Sequence, residues 1–188
     1  MVWRAEGWLD GAEWLPSPNF GARPAGAVVS LIVVHNISLP PNQFGGDWVE
    51  RFFLNQLDRL AHPYFATIAD AQVSAHFYVR RDGRVIQFVG CDWRAWHAGH
   101  SQWCERANCN DYSVGVELEG CDDQPFAAEQ YAALWGLVDA LRQRYPVAAI
   151  VGHSDIAPGR KTDPGPFFDW LAVRDRYPML RLPPEVAS

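Results

Sequence analysis

Apolar residues along the chain fall into short runs and helical stripes, separated by polar stretches rich in Gly and Pro. The run Ala27-Val28-Val29-Ser30-Leu31-Ile32-Val33-Val34 is apolar, β-branched and without alternation. That pattern predicts a central strand covered on both faces, ending at His35. Beyond a Pro- and Gly-rich loop, Asp47 is placed as an N-cap before Trp48, Phe52, Phe53, Gln56, Leu57 and Leu60, whose spacing is helical. Between Val73 and Val89 the pattern turns over at Arg81-Asp82-Gly83-Arg84, and Asp-Gly supplies the positive φ of a tight hairpin. One strand of that hairpin carries His76.

Ser113 to Leu118 alternates, with Val114, Val116 and Leu118 on one face and Gly115 and Glu117 on the other. From about Ala127 to Tyr145, Tyr131, Leu134, Trp135, Val138 and Leu141 share a helical face that Pro146 terminates. Val147 to Val151 is a second short apolar run, with His153 just past its end. Strands and helices in this order predict an α/β domain: a central mixed β-sheet flanked by helices, spanning 1–188 with a core of about 7–176. The segment from Cys91 to Asn110 is a long loop dense in Trp and His, expected to line a groove.

Composition narrows the function. A hydrophobic fraction of 48% over 188 residues suffices for one self-standing core. The net charge of -6, without clustered Lys and Arg, argues against a nucleic-acid partner. No apolar run approaches the ~18 residues of a membrane helix, and no basic stretch leads into an apolar one near Met1, so a soluble cytoplasmic protein is expected. Cys91, Cys104, Cys109 and Cys121 form no C-x-x-C pair and are expected to be reduced. Neither Gly-x-Ser-x-Gly, a phosphate loop, a dinucleotide fingerprint nor His-Glu-x-x-His occurs.

What remains is a set of residues suited to metal-assisted hydrolysis. A catalytic zinc site takes three protein ligands and keeps one position open. His35 and His153 both follow apolar strands, and Asp163 lies in the rigid turn Lys161-Thr162-Asp163-Pro164-Gly165. Spacing alone leaves the choice open, because His76, His97 and His100 are also available. Glu117 suits a general base on the open face of its strand, with Glu119 on the same side as its rival. Lys161 suits the stabilisation of a developing oxyanion. Trp93, Trp96 and His97 combine flat apolar faces with polar edges, as a sugar groove requires.

Five segments carry a family likeness: Val33 to Pro41, Ser74-Ala75-His76, Arg94 to Gly99, Gly115 to Gly120, and above all Gly152 to Gly165. Together they resemble the type 2 N-acetylmuramoyl-L-alanine amidases, in particular those acting on 1,6-anhydro sugars, from about Gly7 to about Trp170. The resemblance implies the amidase fold shared with phage lysozyme-type amidases and peptidoglycan recognition proteins. By motif position it implies Zn2+ held by His35, His153 and Asp163, a catalytic pair of Glu117 and Lys161, and His76 and His97 in the shell or groove. It further implies that Asn36, Ala95, Trp96 and His97 contact the anhydromuramyl sugar. The chain departs from the pattern at Gln72 and Asn108, near which relatives often carry Arg, so a substrate carboxylate lacks that anchor unless Arg106 substitutes.

The expected reaction is zinc-dependent hydrolysis of the amide between (anhydro-)N-acetylmuramic acid and L-alanine in cytoplasmic muropeptides, serving peptidoglycan recycling. The expected partner is the small muropeptide, bound by a monomer. Two other functions fit parts of the pattern: a binding module without catalysis, and a zinc peptidase of the stem peptide.

Overall fold

The hairpin foreseen at Asp82-Gly83 forms as expected in the computed structural model, which describes residues 2–184. Gly83 takes φ +81, and a Cβ there would lie 2.9 Å from the Glu129 carbonyl oxygen, so only glycine fits this turn. The hairpin belongs to a six-stranded sheet. Its strands are β1 (Glu13–Trp14), β2 (Leu31–Ile37), β3 (Phe77–Val79), β4 (Val85–Gln87), β5 (Ser113–Glu119) and β6 (Ala149–Gly152). Their order across the sheet is β1-β4-β3-β5-β2-β6. Only the β3–β4 pair is antiparallel; the other neighbours run parallel, so the sheet is mixed.

The helices are α1 (Trp48–Phe53), α2 (Phe65–Ile68), α3 (Ala128–Arg144), α4 (His153–Ile156) and α5 (Trp170–Arg176). Ile32 and Val34 of β2 and Val114, Val116 and Leu118 of β5 share one core with Leu134, Leu137, Val138 and Leu141 of α3. Each such side chain, fully buried, contributes about 1.5–3 kcal/mol. On the opposite face Leu31 and Val33 pack with Ala98, Tyr112, Val151 and Ile156. A third cluster sets Phe53 and Phe65, from α1 and α2, against Tyr78, Ile86 and Phe88 of the hairpin. The double cover of β2 explains why its sequence lacks alternation.

Boundaries differ from expectation where tertiary pairing overrides local pattern. β2 starts at Leu31 rather than Ala27 and runs to Ile37, because β5 offers it partners from Ser113 to Glu119. His35 therefore lies within the strand and not beyond it. α1 stops at Phe53 instead of continuing to Leu60: Asn55 takes φ +58, the left-handed position that closes helices. Asp47 flanks this helix, but its carboxylate accepts from Arg51 and caps no backbone N–H. The long loop after Cys91 contains two small ladders, Phe20–Gly21 with Arg94–Ala95 and Gln102–Trp103 with Arg106–Ala107. The four cysteines are free thiols.

Candidate metal centre and active site

Strand register builds the site. In β2 and β5 His35 stands opposite Glu117, and across β6 Val34 stands opposite Gly152. The next residue, His153, opens α4 beside His35. A turn then returns Asp163: the Ser154 N–H donates to the Asp163 carbonyl (2.9 Å), Lys161 N–H to Ala157 (3.1 Å) and Gly165 N–H to Thr162 (3.0 Å). A Cβ on Gly152 would lie 2.6 Å from Pro164 Cδ, so the missing side chain lets this turn close over the strand end.

His35 Nδ1, His153 Nδ1 and Asp163 Oδ2 form a triangle with edges of 3.0, 3.0 and 3.1 Å. It is the one cluster of its kind among the described residues. Ligands of a tetrahedral ion with bonds of 2.0–2.1 Å lie about 3.3 Å apart, so the triangle is close to the required size. The outer nitrogens support the same use. His153 Nε2 lies 3.2 Å from the Ala98 carbonyl, which can only accept, so Nε2 carries the proton and the Nδ1 lone pair faces inward. His35 Nε2 lies 2.9 Å from His97 Nδ1. Burial pushes the His35 pKa down to about 4, against the opposing pull of Asp163, so the ring is neutral at pH 7. Burial disfavours the Asp163 carboxylate, yet its contacts with His153 and His35 hold it well below the usual carboxylate range. Two imidazoles and one carboxylate turned on a single point suit a divalent cation.

The two strand carboxylates have opposite circumstances. Glu119 is 3% exposed and satisfied: Oε1 accepts from the Gly45 N–H and Oε2 from the Arg81 N–H. Glu117 is 9% exposed, and its Oε2 is buried without a hydrogen-bond partner among the described residues. Burial, and then the charge of Asp163, raises the Glu117 pKa well above the ordinary value, with Lys161 opposing. A buried acid of raised pKa at the lip of a groove is suited to taking and returning protons.

That groove has a volume of about 550 Å³, within the range of small-molecule sites. Asn36, Trp96, His97, Glu117, Lys161 and His153 line it together with Asp163. His35 sits just beneath, 1% exposed. Asn36 donates to Asp122 Oδ1 (2.7 Å) and to the Pro164 carbonyl (3.1 Å). Ala95 is fully buried in the cluster below α1, so its side chain does not reach the groove. Trp93 packs edge-on against Phe20 at 5.6 Å.

His76 is excluded from the metal cluster by its bonds. Its Nδ1 accepts from the Gly115 N–H (3.0 Å) and its Nε2 donates to the Trp93 carbonyl (3.1 Å). Burial lowers its pKa to about 3. Arg106 lies over the Tyr112 ring at 3.7 Å and does not line the groove. The cations that line it are Lys161 and Arg160. Sequence reasoning missed Arg160, Tyr64, Leu39 and Asp122, which also face the groove. Asp122, two residues after Gly120 at the end of β5, was the most accessible of these from the strand pattern.

Comparison with known proteins points to one family. The family profile described as N-acetylmuramoyl-L-alanine amidase matches residues 25–166. The 1,6-anhydro-N-acetylmuramyl-L-alanine amidase AmpD of Escherichia coli K12 is 52% identical over 171 residues, covering 90% of this chain and 93% of that one. A crystal structure of a selenomethionine derivative of AmpD superposes with a TM-score of 0.90 at 49% identity, covering 96% of this chain and all of the other. The amidase AmiD of E. coli, solved with anhydro-N-acetylmuramic acid-L-Ala-D-γ-Glu-L-Lys, gives a TM-score of 0.60 at 30% identity, covering 81% of this chain and 59% of its own. The chain belongs to the N-acetylmuramoyl-L-alanine amidase family and is a hydrolase of the amide that joins N-acetylmuramic acid to L-alanine.

Proposed function

We propose that the enzyme is a zinc-dependent amidase of soluble 1,6-anhydro-N-acetylmuramoyl peptides, working as a monomeric single domain in the cytoplasm during peptidoglycan recycling. The observation that carries the reading is the buried, unpartnered Oε2 of Glu117 beside the convergent His35, His153 and Asp163. Buried polar atoms without partners are rare and call for a functional explanation. Likeness to amidases that act on anhydro sugars over nearly the full chain supports the substrate class. No helix among the described residues is long and apolar enough to cross a membrane.

His35, His153 and Asp163 would hold the zinc ion, which when bound acts as a Lewis acid and makes water a competent nucleophile at neutral pH. Glu117 takes a proton from the attacking water as it adds to the lactyl carbonyl. The ammonium of Lys161, on the groove wall, stabilises the oxyanion that forms. Glu117 then returns its proton to the departing amine of L-alanine, and the raised pKa of its buried carboxyl suits it to both transfers. Asn36 and Trp96, together with the backbone at Ala95, receive the sugar end of the substrate, and the His97 ring borders the groove.

The test is incubation with 1,6-anhydro-N-acetylmuramoyl tripeptide, with products read by mass. Intact tripeptide is expected, its release stopping with a chelator and returning with added zinc. Cleavage inside the peptide would replace this reading with a stem-peptide peptidase. Bound but uncut substrate would leave a recognition module.

A further inference from the structure

We infer that His97, although it borders the groove, is a positioning residue for the metal ligand His35 and not a sugar ligand. The inference rests on the reading of the cluster as a metal centre.

Both ring nitrogens of His97 are engaged inside the protein. Nδ1 lies 2.9 Å from His35 Nε2, and Nε2 lies 3.0 Å from Ser113 Oγ. Three other features fix the ring. A Cβ on Gly115 would sit 2.5 Å from His97 Cγ, so the imidazole lies on the bare glycine of the central strand. Asn110 Oδ1 accepts from the backbone N–H groups of both His97 and Ala98, at 3.1 and 2.8 Å. Ser113 is fully buried at the start of β5, so its hydroxyl is a fixed partner. Gly115, Asn110 and Ser113 thus hold one imidazole edge-on to another, at 85° and 5.0 Å between centroids.

The direction of the hydrogen bonds follows from elementary chemistry. A cation on His35 Nδ1 requires the proton on Nε2. Nε2–H then donates to His97 Nδ1, and His97 Nε2–H donates to Ser113 Oγ. The chain fixes the tautomer and the ring plane of His35, as outer partners of metal-bound histidines do. His153 has its equivalent in the Ala98 carbonyl, which His97's own loop supplies. One loop therefore orients both imidazoles. With its two nitrogens committed, His97 offers the groove only an apolar ring face, and it is 9% exposed.

The experiment compares the full-length protein with His97→Leu, His97→Asn and Ser113→Ala. Zinc affinity is measured by competition with a chromophoric chelator, and kcat and KM are measured at saturating zinc. His97→Leu removes the acceptor and should weaken zinc binding about 10–100-fold and lower kcat with little change in KM. His97→Asn keeps an acceptor oxygen near the Nδ1 position and should restore affinity to within about threefold of the parent. Ser113→Ala leaves the groove wall intact and should lose affinity by a smaller factor, which keeps the test valid if His97→Leu does not fold. Unchanged zinc affinity in His97→Leu and Ser113→Ala, with a raised KM in the former, would overturn the inference and restore His97 as a sugar ligand. Failure of the parent protein to bind zinc would overturn the metal reading itself, and this inference with it.

Discussion

The two faces of β5 show how one strand serves two purposes. Toward α3 it presents Val114, Val116 and Leu118, all fully buried in an apolar cluster. Toward the groove it presents Gly115, Glu117 and Glu119 in the same alternation. The first face contributes stability by removing carbon surface from water. The second gives some of that up: it seats a histidine ring on a glycine and buries a carboxylate oxygen without a partner. Rigidity from the apolar face holds the strained chemistry of the other in place, as expected where a site sits on a fixed element.

Substitutions should separate the two faces. The largest effect is expected for Glu117→Gln, which should lower kcat by about 10²–10⁴-fold while zinc content is kept and stability to urea is unchanged or raised. A loss of zinc in this variant would show that Glu117 supports the ligands and not the proton transfers. Leu118→Ala, one residue along and on the other face, should destabilise by about 2–5 kcal/mol in urea melts and leave the kcat of folded enzyme intact. If kcat fell as well, the faces would be coupled.

Glu119→Ala sharpens the contrast within the groove face. It frees the N–H groups of Gly45 and Arg81, for about 1–3 kcal/mol of stability. Because Gly45 lies in the loop that brings Leu39, Pro41 and Asn42 to the groove, KM should rise more than kcat falls. Equal loss of kcat in Glu119→Ala and Glu117→Gln would erase the distinction between them.

The last effect, absent at neutral pH, concerns His76, behind the same face. Its pKa falls from 6.5 to about 3 through burial, followed by the charge of Arg23. The unfolded chain therefore binds more protons across this window, so the contribution is complete above pH 6.5 and is lost as pH falls toward 3. The urea midpoint should decline over that range, and less steeply in His76→Asn. An identical slope in the variant would assign the decline to other groups.

Much of this was legible in one dimension. The apolar run before His35, the alternation at 113–118 and the stripe closed by Pro146 are statements about periodicity, and local periodicity survives folding. The Asp82-Gly83 turn was equally clear, because a positive φ is a demand on residue type. Family motifs carried the choice of His35, His153 and Asp163 from among six histidines and many carboxylates, and the fold brings those three together.

Residue order alone located the main strands and helices, though not all of their ends, and supplied residue types suited to metal-assisted hydrolysis. Which of those residues meet was settled by long-range packing. Parallel pairing sets His35 opposite Glu117 across a gap of 82 positions, and no local signal encodes a register between segments so far apart. Glu117 and Glu119 are equivalent in the strand pattern; they differ because the loop from 39 to 46 and the hairpin supply backbone donors to one and not the other. His76 and His97 also look alike in sequence. Their roles part because one finds a backbone N–H at Nδ1 and the other finds His35, and hydrogen-bond partners are assigned only when the chain has folded.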